Sequence, residues 1–202
     1  FMLFLEYLII FSFSIQDFFQ FKRRWKKDQQ WFCSDEENQK NRIESYVNLT
    51  LCSCKFNCIG IKSLNGGAIF LKCLMINNIS KCIFTNCFAQ SGGALYLISE
   101  DKAKSYIQSC IFQNNYALEN GGSFFCLNSK IFLSNCRFIN NSIIKKNNSD
   151  TEKLGGAIFM DNLDSNLQDC VFENNFVFSN KEPIKIRSSG GGIYFSNSCF
   201  FF

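Results

Sequence analysis

S-N-C-R-F-I-N-N, residues 134–141, has three close relatives in the same chain: S-K-C-I-F-T-N-C at 80–87, Q-S-C-I-F-Q-N-N at 108–115 and Q-D-C-V-F-E-N-N at 168–175. Aligned, they extend to a longer pattern: an aliphatic residue, two variable positions, Cys, any residue, Phe. A fifth, earlier copy then appears. The aliphatic positions are Leu51, Ile79, Ile107, Leu133 and Leu167. The cysteines are Cys54, Cys82, Cys110, Cys136 and Cys170, and the aromatics are Phe56, Phe84, Phe112, Phe138 and Phe172. In the last four copies an Asn follows two residues after the Phe, at Asn86, Asn114, Asn140 and Asn174.

A second motif alternates with the first: G-G-A-I-F from Gly66, G-G-A-L-Y from Gly92, G-G-S-F-F from Gly121, G-G-A-I-F from Gly155 and G-G-G-I-Y from Gly190. Successive Phe positions of the first motif are 28, 28, 26 and 34 residues apart. Self-similarity at such a period marks a solenoid, in which each repeat is one supersecondary turn. Cys and Phe stand two apart with varied residues between them, which is the alternation of a strand with one buried face. The same alternation follows Gly-Gly, with Ile69, Leu95, Phe124, Ile158 and Ile193 at one inward position. Leu71, Leu97, Cys126, Met160 and Phe195 lie two further on. The aliphatic before each Cys is three residues away, so a corner must separate them for both to point inward.

The chain is therefore expected to be all-β: a parallel β-helix of about five coils over residues 50–202, each coil made of short strands separated by corners. Stacking at about 4.8 Å places like above like, giving ladders of Cys, Phe and Asn. Asn closes bends, where its side chain bonds neighbouring backbone. Gly-Gly reads as a turn allowing close approach of stacked backbones; no Lys-Ser or Lys-Thr follows, as a phosphate-binding loop would need.

Gly-Gly-Ala-Ile combined with Phe-x-x-Asn, as at Phe112–Asn115, Phe138–Asn141 and Phe172–Asn175, resembles the repeat of polymorphic outer-membrane-protein (Pmp) type surface proteins. The resemblance covers roughly residues 50–202. It implies a right-handed parallel β-helix of the pectin-lyase-like class, with adhesion or surface display in many members and polysaccharide cleavage in others. Two departures stand out: Cys87 replaces the last Asn of its copy, and the first copy is shortened.

Upstream, residues 1–21 form a hydrophobic segment, F-M-L-F-L-E-Y-L-I-I-F-S-F-S-I and its continuation to Phe21, expected to be helical. Its first 15 residues suit a secretory signal core; carried to Phe21 it approaches a membrane span, at the cost of Asp17. Either role associates the chain with a membrane; the alternative is a hydrophobic segment buried in the fold. Residues 22–49 read as a basic and polar linker opening with K-R-R-W-K-K, at 22–27. Removing those five positive charges from the formal net +4 leaves the remainder near neutral. No nucleic-acid partner is implied. The final Phe200-Phe201-Phe202 exposes an apolar strand edge, so the repeat domain reads as truncated.

Among 202 residues there is no His, which removes Ser-His-Asp and Cys-His nucleophiles and His metal ligands. The ladder Cys are read as small apolar filler in the reduced state, and Cys58 with Cys87 could bridge neighbouring corners in an oxidising compartment. C-S-C-K-F-N-C, 52–58, lacks the paired spacing of a zinc site, and no metal or other cofactor is expected. Asp161, Asp164 and Asp169 lie in one coil without matching acids in its neighbours, so no catalytic residue is assigned. Four N-glycosylation sequons, at Asn48, Asn78, Asn140 and Asn147, occur in a chain rich enough in Asn that their number is near chance.

Two surface features are binding candidates. Phe70, Tyr96, Phe125, Phe159 and Tyr194 alternate with inward aliphatics and so should form an external aromatic stripe, suited to sugar rings or another protein. The structural alternatives are coverage by another segment or a widened core. Insertions at 142–154 and 176–189 grow from the same corner and should emerge side by side, carrying Lys145, Lys146, Lys181, Lys185 and Arg187. The expected role is a non-enzymatic cell-surface or extracellular scaffold for adhesion to a carbohydrate or another surface protein. A carbohydrate-active enzyme on the same solenoid and an inactive fragment of a larger membrane protein are the alternatives.

Overall fold

The computed structural model describes residues 29–32, 38–39, 42–46, 48–57, 59–60, 64–73, 76–99, 103–144, 153–161, 164–178, 188–189, 191–196 and 199–201. Every element among them is a β-strand. The hydrophobic segment at 1–21 lies outside the described residues.

The chain visits four sheets in turn, and all ladders are parallel. Sheet 1 holds Gln29–Phe32, Leu49–Cys52, Ile76–Ser80, Lys104–Gln108, Lys130–Ser134, Asp164–Gln168 and Cys199–Phe201. Sheet 2 holds Asn38–Gln39, Lys55–Asn57, Ile83–Thr85, Ile111–Gln113, Arg137–Ile139 and Val171–Glu173. Sheet 3 is short: Phe88–Ala89, Tyr116–Ala117, Ser142–Ile144 and Phe176–Phe178. Sheet 4 holds Ile43–Ser45, Ile69–Cys73, Leu95–Ser99, Phe124–Leu127, Ile158–Asp161 and Ile193–Ser196. This is a parallel β-solenoid of about five coils.

Register is strict because one face of the strands in the central coils is buried, and a slip by one residue would turn that face outward. Phe84, Phe112, Phe138 and Phe172 are successive partners in sheet 2, and Leu51, Ile79, Ile107, Leu133 and Leu167 in sheet 1. The inner rings stack nearly parallel, with centroids 4.9 Å apart for Phe56–Phe84, 4.8 Å for Phe84–Phe112, 4.7 Å for Phe112–Phe138 and 4.9 Å for Phe138–Phe172. Phe56, Phe84, Phe112 and Phe138 are wholly buried, each worth roughly 1.5–3 kcal/mol of burial.

The corners are made one residue at a time. Between sheets 1 and 2, Ser53, Lys81, Ser109, Asn135 and Asp169 take left-handed φ values of 57°, 52°, 55°, 52° and 51°. Between sheets 2 and 3, Asn86, Asn114, Asn140 and Asn174 do the same at 55°, 54°, 52° and 50°. Asn tolerates this conformation better than most residues with a Cβ.

The second Asn of each pair has a different task. Asn115 and Asn141 are completely buried. The Asn141 Nδ2 donates to the Phe112 carbonyl at 2.9 Å and to Asn175 Oδ1 at 3.0 Å. Its Oδ1 accepts from the Asn115 backbone N at 3.1 Å and from Asn115 Nδ2 at 3.0 Å. Asn115 Oδ1 in turn accepts the Cys87 N–H at 2.9 Å, so the Cys87 rung closes the ladder through its backbone.

Gly-Gly is divided in the same way. Gly92 has φ +62°, whereas Gly93 is needed for space: a Cβ there would lie 2.1 Å from the carbonyl oxygen of Gly122.

The ladder cysteines line the corner between sheets 1 and 2. Cys82, Cys110 and Cys136 are buried thiols, donating through Sγ to the carbonyls of Ser80 (3.2 Å), Gln108 (3.3 Å) and Ser134 (3.3 Å). Cys110 is pushed above the ordinary thiol range by its contacts with Cys136 and Cys82 and then by burial. Reduced packing holds for these three, but Cys54, on the same ladder, is disulfide-bonded. The Cys58–Cys87 bridge that the sequence allowed is not formed: Cys87 carries a thiol, whose Sγ donates to the Thr85 carbonyl at 3.5 Å.

The ladders also run upstream of residue 50, into the stretch read as a linker. Gln29–Phe32 pairs with Leu49–Cys52, Asn38–Gln39 with Lys55–Phe56, and Ile43–Ser45 with Ile69–Leu71. Gln39 stands in the Phe position and Glu44 in the outer aromatic position, which conceals this coil from a motif search.

Candidate functional site

The outer face of sheet 4 carries the aromatic stripe. Ile69 and Leu71 face inward and are fully buried, so Phe70 between them points outward; the same holds for Tyr96 between Leu95 and Leu97. In-register pairing then sets Phe70, Tyr96, Phe125, Phe159 and Tyr194 in one column. Neighbouring centroids are 5.4, 4.6, 4.8 and 5.5 Å apart, with ring planes within 9° of parallel.

That geometry decides what the column can do. Each inner ring has both faces covered by its neighbours, and only ring edges reach the surface. Sugar rings bind aromatic faces, so the middle of this column is no sugar platform. Edges carry the positive rim of the quadrupole and suit carbonyls, carboxylates or the faces of other aromatic rings. Phe125 and Phe159 are 7% and 8% exposed, while Phe70, Tyr96 and Tyr194 are half-buried. Part of this cover comes from the glycine turns: a Cβ on Gly66 would sit 3.0 Å from Tyr96 Cβ, and one on Gly92 3.2 Å from Phe125 Cβ. Burial and the Glu119 carboxylate push the Tyr96 phenol up. Beside the aromatics, the next outward column contains Lys72, Ile98, Leu127 and Asp161.

A polar clasp closes the first end of the stack. The Arg42 guanidinium lies 5.3 Å from the Phe70 centroid and donates to the carbonyls of Gly66 (2.8 Å) and Asn65 (2.9 Å). It also pairs with Glu44 at 2.7 Å, and the Tyr46 hydroxyl donates to the other Glu44 oxygen. These two donors, Tyr46 first and Arg42 second, hold the Glu44 carboxyl below its ordinary range. Tyr46 tilts against Phe70 with centroids 6.3 Å apart.

Lys145, Lys146, Lys181, Lys185 and Arg187 lie outside the described residues. The two insertions that carry them do meet, since Lys153–Leu154 pairs in parallel with Ser188–Ser189. Two further external aromatic pairs escaped the sequence reading. Tyr106 and Phe132 stack on sheet 1 at 4.8 Å, and Phe88 and Tyr116 on sheet 3 at 5.4 Å. Tyr106, between buried Ser105 and Ile107, was recoverable from the same alternation.

Asp161 and Asp169 do not converge, and the Asp164 side chain lies outside what the structure describes. Asp161 has Leu127 and Ser196 as its register partners, and Asp169 occupies a left-handed corner on the far side of sheet 1. Among the described residues no group of three or more metal-ligating side chains is arranged to hold a metal, and no helix is long and apolar enough to cross a membrane. Compared with protein-family models, curated proteins and solved structures, the chain matches none.

Proposed function

We propose that this chain is a non-enzymatic scaffold, displayed at the cell surface or outside the cell, that binds a protein partner through the outer face of sheet 4. The observation that carries the reading is the five-ring column whose inner rings cover one another's faces and whose edges line the outer face of sheet 4, flanked by Ile98 and Leu127. Such a surface offers aromatic and aliphatic anchors on a hydrogen-bonded parallel sheet, as protein interfaces favour. The repeat's resemblance to Pmp-type surface proteins, and a hydrophobic segment at 1–21 able to direct or anchor the chain, support display. The register partners of Asp161 in the coils on either side, Leu127 and Ser196, are not acids, which weighs against the carbohydrate-active alternative.

Two measurements test this. Protease applied to intact cells should remove the protein; complete protection contradicts display. Beads coated with the purified chain should be retained on cells, and Ile98→Glu with Leu127→Glu should abolish retention while the far-UV circular dichroism is unchanged. Equal retention by the double variant would remove sheet 4 from the binding role.

A further inference from the structure

Of the three sequons among the described residues, one is placed differently from the other two; Asn147 lies outside the described residues. Asn48 has its Oδ1 engaged by the Ile76 N–H at 3.1 Å, and Asn140 occupies an exposed left-handed corner. Asn78, followed by Ile79 and Ser80, stands on the strand Ile76–Ser80 in the middle of sheet 1, with its side chain exposed between buried Asn77 and Ile79. Its register partner in the next coil is Tyr106. Tyr106 is 39% exposed and stacks through one face on Phe132, which lies one coil further on. The stack ends there, because the partner on the other side is the short Asn78. The second face of Tyr106 therefore looks along the sheet onto Asn78, unlike the inner rings of sheet 4, whose faces are all used.

We propose that Asn78 is an N-glycan acceptor whose first sugar lies on the open face of Tyr106. This rests on the surface or extracellular reading, since the modification requires passage through a glycosylating compartment. In the transfer, Nδ2 of Asn78 bonds to the anomeric carbon of a lipid-diphosphate-linked oligosaccharide beginning in N-acetylhexosamine. The bond from that carbon to the diphosphate oxygen breaks, the lipid diphosphate leaves and one amide proton is lost; nothing is oxidised or reduced. The transferase acts on the extended chain, and folding then sets the new sugar one coil from Tyr106. The axial C–H groups of the sugar meet a π-face, and the rest of the glycan projects from an exposed strand where it meets no core residue.

The test uses the full chain behind a secretory leader in a eukaryotic host that N-glycosylates. Glycosidase release in heavy-oxygen water followed by peptide mass mapping should show most secreted molecules modified at Asn78, and Ser80→Ala should abolish that modification. A secreted, folded chain left bare at Asn78 overturns the proposal. The thermal midpoint of the glycosylated protein should exceed that of the enzymatically stripped protein by about 2–4 °C, the shift that one modest contact gives in a chain of this size. Tyr106→Ala should leave occupancy intact and erase the difference; a difference that survives Tyr106→Ala overturns the platform. Because the leader forces entry, these results stand apart from native location. A chain that stays inside its own cells sinks the display reading without touching the acceptor chemistry.

Discussion

Asn140 and Asn141 are neighbours of identical chemistry, and replacing each by Ala should have very different consequences. Asn141→Ala removes four side-chain hydrogen bonds from a site with no solvent access. The Asn115 backbone N–H loses the side-chain oxygen that it donates to. One buried donor left without a partner costs about 1–3 kcal/mol, and a lost bond whose other partners survive costs about 0.5–1.5 kcal/mol. Taken together, a loss of roughly 3–5 kcal/mol is expected, a large share of the ~5–15 kcal/mol that holds a typical protein folded. Asn140 is exposed, and its contribution is to accept φ 52°. Ala there costs about 1 kcal/mol, and Gly is neutral or better. Urea unfolding followed by far-UV circular dichroism separates the two: with a slope of about 2–3 kcal/mol/M, Asn141→Ala should lower the midpoint by more than about 1 M and Asn140→Ala by less than about 0.5 M. Equal midpoints for the two variants would mean that the inner Asn ladder does not exist.

The remaining expectations concern the glycines, the thiols and the clasp. Gly93→Ala drives a Cβ to 2.1 Å from the Gly122 carbonyl oxygen and should prevent soluble expression, whereas Gly192→Ala meets nothing nearer than the Phe172 Cβ at 3.9 Å and should express normally. In the native protein a maleimide should label half-buried Cys52 and Cys170 before the buried thiols, and should reach Cys82, Cys110 and Cys136 only as the chain unfolds; equal labelling rates for the two groups in peptide mapping contradict this. The folded Glu44 pKa lies below the ordinary 4.5, so its contribution to stability is present above that value and is lost as pH falls through the lower folded one. A carboxyl NMR titration should show this depression, and Tyr46→Phe should move the midpoint back toward 4.5.

The inner ladders were legible in the sequence because period-two alternation and a constant Cys-x-Phe spacing leave no other fold. What the Asn-Asn pair does was only half legible. Both residues suit a bend, and nothing in the sequence tells which one takes positive φ and which is buried. The coil upstream of residue 50 was hidden for a physical reason: backbone hydrogen bonds, not side-chain identity, pair Asn38–Gln39 with Lys55–Phe56. Alternation also put the aromatic column on the outside correctly, yet could not show that stacking at 4.6–5.5 Å would consume the ring faces. The disulfide at Cys54 was not foreseen either, since its spacing is that of the thiols above it.

In-register stacking of coils is most directly tested by side-chain NOEs in protein carrying ring-labelled Phe. Cross-peaks should connect Phe84 with Phe112 and Phe112 with Phe138, whose centroids are 4.8 and 4.7 Å apart, and none should connect Phe84 directly with Phe138. Loss of both adjacent contacts, or contacts between rings of unlike position in the repeat, would contradict the solenoid.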